Sequence, residues 1–411
     1  MKELFSVVTV DEAKQILASH MPELNSVQEE VGLLEGYDRR LAVDIVTPEN
    51  LPPFSRSTVD GYAVCARDTF GVTESMPGFL TVTGEVEMGK EAQRVMLPGE
   101  AQWIPTGGML PQGADAVVMV EYTEDVGGGL ITIHRPVTVG ENLILAGEDC
   151  SKGETVLTKD TRIRPAEMGL LAALGITRVK VTAKPRIAII STGDEVVAPE
   201  ETPRAGQIRD VNSYALAGQV IQGGGIPVCY GIVRDVAFEL SQVLAKALLE
   251  TDLVLISGGS SVGTRDMTAE VLSQGNPGIL FHGVAIKPGK PTLAAVIGEK
   301  IVIGLPGHPA SAMVVFNALV MPLLQWGSYQ MAELHREYPI QAELTQSLAS
   351  GPGREDYVRV KLEQSGEKLT ATPVLGKSGL ISTLVKADGM MRISLTKEGL
   401  NNGAVVAVDR L

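Results

Sequence analysis

Cysteine is scarce: Cys65, Cys150 and Cys229 are the only three in 411 residues, and they stand too far apart for a disulfide framework or a thiolate zinc site. A reducing compartment is therefore expected. Five scattered histidines add no recognisable ligand spacing, which further disfavours zinc. Basic runs are absent, and 35 Lys and Arg against 49 Asp and Glu leave a net charge of -14, so a polyanionic backbone would be repelled and nucleic acid is not an expected partner. Long apolar runs are also missing. Stretches such as Ile301 to Leu305 are broken within a few residues, far short of the ~20 needed to span a bilayer, so no membrane role is expected. The opening Met1-Lys2-Glu3-Leu4-Phe5, followed by Asp11 and Glu12, lacks the basic-then-apolar order of a secretory signal. A cytoplasmic location is the expectation.

What is present is the composition of a folded, multidomain chain. Hydrophobic residues make up 44% and charged residues 20%, which leaves little room for disorder, and the length exceeds what one core usually supports. Thr9-Val10-Asp11-Glu12 has capping-box spacing ahead of Ala13, Ile16, Leu17 and Met21 at helical period. From about residue 51 to 147, short alternating runs such as Phe79 to Thr83 and Leu130 to Ile133 predict a β-rich domain. A helix returns at Arg164-Pro165, stopped by Gly175. Residues 1–50 and 148–183 are expected to form one discontinuous, elongated domain.

Residues 184–330 alternate strand-like runs (Ile187 to Ile190, Val228 to Val233, Leu253 to Ile256, Ile301 to Gly304) with helix-like ones (Asn212 to Ile221, Val236 to Leu249, Asp266 to Leu272, Pro309 to Leu324). This pattern predicts a doubly wound, mostly parallel α/β sheet. Alternation resumes over residues 331–411 in Tyr357 to Leu362, Lys368 to Thr372, Met391 to Leu395 and Ala404 to Val408, which predicts a small C-terminal β-barrel.

Ligands of open α/β sheets collect beyond the carboxyl ends of the strands. There, Ser257-Gly258-Gly259-Ser260-Ser261-Val262-Gly263 offers backbone NH groups and hydroxyls to phosphate oxygens. It matches neither a dinucleotide fingerprint nor a Walker loop. Pro306-Gly307-His308-Pro309-Ala310-Ser311 leads from a strand into a helix and also suits an anion, whereas His308 alone reads as a structural or solvent-facing residue. Lys287-Pro288-Gly289-Lys290-Pro291 holds two cations on a stiffened loop. Asp194, Glu195, Asp235 and Asp266 follow strand ends or the glycine loop. Each taken singly is a turn or cap residue. Set together beside anion cradles, they call for a hard cation, and Mg²⁺ is expected to bridge carboxylate and phosphate. Asp60 in Ser57-Thr58-Val59-Asp60-Gly61-Tyr62-Ala63 and Asp149 in Gly147-Glu148-Asp149 read, from spacing alone, as turn residues.

Taken in order, the segments Ser57 to Ala63, Gly147 to Asp149, Ser191-Thr192-Gly193-Asp194-Glu195, Ser257 to Gly263, Lys287 to Pro291 and Leu305 to Pro309 resemble the MoeA family, which includes the E domain of gephyrin, over essentially the whole chain. The resemblance implies molybdopterin molybdenumtransferase activity: adenylylated molybdopterin and molybdate as substrates, Mg²⁺-dependent release of AMP, and molybdenum cofactor as product. It implies a four-domain homodimer with the α/β domain of one subunit facing the β-rich domain of the other. It also implies working contact with the molybdopterin adenylyltransferase and with molybdoenzyme-loading proteins. Carried onto this chain, it makes Asp60, Asp149, Glu195, Asp235 and Asp266 catalytic acids, with Glu195, Asp235 and Asp266 as metal ligands. It makes Thr106, Ser257, Gly258, Gly259, Ser260, Ser261, Gly263, Lys287, Lys290, Pro306, Gly307, Pro309, Ser311, Arg354 and Ser378 substrate-binding residues.

The sequence departs from the family pattern at Arg265 beside Asp266, at Ile144 where arginines often precede Gly-Glu-Asp, at Gly108 in Thr106-Gly107-Gly108, and at His308, where Asn is usual. A noncatalytic molybdopterin carrier or assembly scaffold is the alternative function. A nucleotide-linked dehydrogenase is disfavoured because no Gly-x-Gly-x-x-Gly follows a strand.

Overall fold

The computed structural model describes residues 7–20, 27–258, 267–326 and 339–411. The chain divides into two compact units, Gln28–Thr182 and Met1–Val27 with Ala183–Leu411. The first helix, α1 (Val10–His20), begins at the expected capping box: Thr9 N–H donates to Glu12 Oε2 at 2.7 Å and Glu12 N–H donates to Thr9 Oγ1 at 3.2 Å. Its buried positions Val10, Ala13 and Leu17 form one stripe, and that stripe joins the α/β core around Ile187, Phe281 and Phe316. The sequence grouped this helix with the discontinuous domain. An amphipathic stripe states that a face is covered but does not name what covers it.

In the unit Gln28–Thr182, β1 (Gln28–Gly32) and β8 (Arg178–Thr182) pair antiparallel from opposite sides of the β-rich segment. With helix α2 (Pro165–Ala173) they share a core of Leu41, Ile45, Ile163, Leu171, Val179 and Val181. Between them, β2 (Gly61–Val64), β3 (Gly78–Glu85), β4 (Glu100–Ile104), β5 (Ala116–Met119), β6 (Thr123–Gly127) and β7 (Leu130–Ile133) form one sheet in the order β5-β2-β4-β3-β7-β6.

The other unit carries the doubly wound, mostly parallel sheet. Its strands are β9 (Arg186–Thr192), β10 (Ile226–Val233), β11 (Leu253–Ser257), β12 (Pro277–His282), β13 (Leu293–Ile297) and β14 (Lys300–Leu305), in the order β10-β9-β11-β14-β13-β12. The four strands read from sequence run parallel, and the two that sequence reading did not find, β12 and β13, close one side antiparallel. Ile187, Ile189, Leu255 and Ile303 face α1, α3 (Asn212–Gln222) and α6 (Pro309–Val315). Ala188, Ile190, Val254, Ile256 and Val302 face α4 (Ala237–Glu250) and α5 (Met267–Leu272). Both faces are covered, which is why these strands are apolar throughout instead of alternating.

The C-terminal strands β15 (Ile340–Leu344), β16 (Glu355–Ser365), β17 (Lys368–Pro373), β18 (Gly389–Ile393) and β19 (Val405–Arg410) close into the expected barrel, because β16 pairs with both β17 and β18. Ile286–Lys287, from the α/β sheet's own loops, adds to β16 in parallel opposite Glu355 and Asp356.

Candidate active site

Strand register decides what gathers at the carboxyl edge of the parallel sheet. Thr192 pairs with Val233, Ser191 with Ser257, and Ser257 with Leu305, so the loops after β9, β10, β11 and β14 leave from one edge. Asp194 and Glu195, Asp235, Ser257 with Gly258, and Pro306 with Gly307 and His308 stand on those loops. Gly258 has φ +107, and a Cβ there would lie 2.2 Å from the Thr192 carbonyl oxygen, so only glycine fits. A Cβ on Gly307 would lie 3.6 Å from Gly258 Cα, so these two loops are neighbours. Sequence reading missed the residue that links them: Asn212, buried at the start of α3, donates to Ser257 Oγ and to the Gly307 carbonyl. A polar residue opening a helix beside a strand-end cluster is the signal that could have found it. Gly259, Ser260, Ser261, Gly263 and Asp266 lie outside the described residues.

The acids on this edge act on one another. Asp235 N–H donates to Asp194 Oδ1 at 3.2 Å. Partial burial, then the negative charges of Asp194 and Glu195, push the Asp235 carboxyl above the ordinary aspartate range. Arg234 is paired with Glu239 and also attracts Asp194, but the Asp235 carboxyl remains raised. Among the described residues no group of three or more His, Cys, Asp or Glu side chains is arranged as a metal cage. Mg²⁺, however, usually takes one or two carboxylates and completes its shell with phosphate and water. Hard oxygen donors that repel one another, as on Asp194, Glu195 and Asp235, fit that requirement.

Beside this edge, between the Ile286–Pro291 loop, the start of α6 and the barrel, lies a cleft of about 520 Å³. The sequence-predicted residues Lys287, Lys290, Pro306, Ser311, Arg354 and Ser378 all line it. Pro309 opens α6 immediately after His308, itself a lining residue. The lysine loop is seated by Gly289: at φ +126, a Cβ there would come within 2.4 Å of Val315 Cγ2.

The cations of the cleft differ in their engagement. Arg354 Nε donates to Asp356 Oδ1 at 2.9 Å, and Lys287 Nζ stands 3.6 Å from Asp356 Oδ2. Arg359, which sequence reading did not single out, is only 8% exposed, and its Nη2 donates to the Gly376 carbonyl at 3.1 Å. Its Nε and Nη1 are buried and, among the described residues, have no hydrogen-bond partner, and burial pulls its pKa down. The guanidinium thus contributes a desolvated positive charge to the wall of the cleft.

In the unit Gln28–Thr182, Thr106 donates through N–H and Oγ1 to Asp60 Oδ1 at 2.7 and 2.9 Å. These bonds, the backbone one first, hold the Asp60 carboxyl below its ordinary range. Asp60-Gly61 is not a hairpin turn: Gly61 begins β2, and a Cβ there would lie 2.0 Å from the Val118 carbonyl oxygen. Asp149 is exposed, with its N–H bonded to the Leu51 carbonyl at 3.0 Å.

Family models match the chain in three consecutive pieces: the MoeA N-terminal region (domain I and II) over residues 8–175, a probable molybdopterin binding domain over 188–326, and the MoeA C-terminal region (domain IV) over 341–411. A putative molybdopterin biosynthesis protein of Methanocaldococcus jannaschii is 35% identical over 99% of this chain and 99% of its own. The chain belongs to the MoeA family. Another MoeA-family relative, the molybdopterin molybdenumtransferase of Bacillus subtilis, is 31% identical over 99% of this chain and 95% of its own. Among solved structures, a molybdopterin biosynthesis MoeA protein from Pyrococcus horikoshii superposes with a TM-score of 0.84 at 38% identity, covering 98% of this chain and 99% of that one. The strand-edge acids and the cationic cleft of this chain thus stand on a MoeA fold.

Proposed function

We propose that this protein is a molybdopterin molybdenumtransferase that inserts molybdate into adenylylated molybdopterin, with Mg²⁺-assisted release of AMP, to give molybdenum cofactor. The observation that carries this reading is the cleft in which Lys287, Lys290, Arg359 and Ser378 converge beside the strand-end loops. Bringing molybdate to a phosphorylated pterin gathers several negative charges in one place, and cations and fixed donors must offset their repulsion. Arg359 supplies a buried positive charge in the cleft wall, while Lys287 and Lys290 supply charge held in place by the seated loop. Ser257, Gly258 and Gly307, tied by Asn212, cradle phosphate.

Glu195 and Asp235 would hold Mg²⁺, which when bound neutralises phosphate charge and eases cleavage of the phosphoric anhydride. Asp60, with its carboxylate fixed by Thr106, and Asp149 complete the set of acids assigned to the reaction, and the protein acts as a homodimer. Purified protein given adenylylated molybdopterin, molybdate and Mg²⁺ should release AMP and retain molybdenum on the pterin. Binding of the pterin with no AMP release would leave a carrier or scaffold as the function. An Asp235→Ala variant should bind the pterin and lose the release.

A further inference from the structure

His308 precedes α6 and lines the cleft. Its Nδ1 stands 3.2 Å from Ser378 Oγ. Ala310 N–H donates to the Ser378 carbonyl at 3.1 Å, which holds the two segments side by side. On the far side of the ring, a carbon added to Gly379 would lie 3.5 Å from His308 Cδ2. The imidazole is therefore lodged against the stretch that carries Ser378.

A serine hydroxyl has one proton to donate. When His308 Nδ1 carries a lone pair, that proton goes to the imidazole, and Ser378 offers an incoming anion only its own lone pairs. When Nδ1 is protonated, it donates to Oγ, and the hydroxyl proton is free to turn into the cleft. Both states satisfy the contact, but the second suits an oxyanion, and the imidazolium guarantees it while adding a positive charge.

The charged groups lining the cleft among the described residues are Lys287 and Lys290 on the loop, Arg354, Asp356 and Arg359 at the start of β16, and Lys377 next to Ser378. A bound dianion favours a positive charge beside it. We propose that His308 is a positioning residue for the oxyanion, and that oxyanion binding is coupled to proton uptake by His308, which turns the Ser378 hydroxyl towards the ligand. This rests on reading the cleft as the molybdate site.

The test is calorimetric titration of the full-length protein with molybdate between about pH 6 and 8 in buffers of different ionisation enthalpy. Net proton uptake on binding is expected, with affinity falling by up to about tenfold per pH unit as pH rises. In His308→Asn and His308→Gln the uptake and the slope should vanish, because an amide can hydrogen-bond to Ser378 but does not titrate. Binding by the unaltered protein without proton uptake, or equal uptake in both variants, overturns the role of His308 and leaves the oxyanion site standing. If molybdate does not bind at any pH in this range, the reading of the cleft fails and the inference fails with it.

Discussion

Asn212 donates one side-chain amide to two strand-end loops, reaching Ser257 Oγ at 2.6 Å and the Gly307 carbonyl at 2.8 Å. Asn212→Leu leaves a buried hydroxyl and a carbonyl without their donor, at a cost of about 1–3 kcal/mol. Because the two loops lose their common tie, pterin binding should weaken as well. Thermal unfolding together with a pterin titration checks this, and unchanged affinity would mean that the loops hold their places without Asn212.

Arg359 gives the opposite pattern. Among the described residues its Nε and Nη1 have no hydrogen-bond partner, so Arg359→Met removes a desolvated charge and replaces it with apolar volume. Stability should change by less than about 1 kcal/mol or rise, while molybdate affinity falls by at least about tenfold. Denaturant unfolding and calorimetry on the same preparation separate the two effects. A large loss of stability with affinity intact would assign Arg359 to the barrel instead of the ligand.

Gly289 is the seat of the lysine loop. Gly289→Ala places a methyl 2.4 Å from Val315 Cγ2 at a φ of +126, which should destabilise the fold by about 2 kcal/mol or more. Lys287 and Lys290 should shift with the backbone, so molybdate binding weakens without the loss of any charge. A thermal melt and a binding isotherm suffice to check both.

Glu167 caps α2: its Oε2 accepts the Arg164 N–H at 2.9 Å, and its Oε1 accepts Arg164 Nη2 at 2.6 Å. The Arg164 side-chain bond, helped by that N–H, outweighs burial and brings the Glu167 carboxyl down from 4.5 to about 2. A depressed carboxyl stabilises the fold fully above its unfolded pKa and loses that contribution as pH falls from 4.5 towards 2. Since Arg164 is 69% exposed, solvent screening reduces the effect to about 1–2 kcal/mol. Glu167→Gln should show that loss at neutral pH and a flatter acid limb in pH-dependent unfolding.

Much of this architecture was readable before any coordinates. The apolar runs of β9, β10, β11 and β14, alternating with helix-like stretches, announced a parallel sheet. The antiparallel β12 and β13 were not legible, because Pro277 and the small residues of Leu293-Ala294-Ala295 carry no period that separates strand from loop. Arg354 was singled out by its motif, whereas Arg359, which lines the same cleft, carries no local signal that separates it from any other strand residue.

The linear chain by itself determined the period of each element, the glycines and prolines that end them, and the excess of acid that any anionic ligand must overcome. Those are properties of neighbours along the backbone. Only the folded molecule decided that α1 covers the α/β sheet, that Asn212 joins two loops, and that His308 touches Ser378 across 70 positions of sequence. Such choices depend on register and on which groups lose their water together, and neither is encoded in any local stretch of residues.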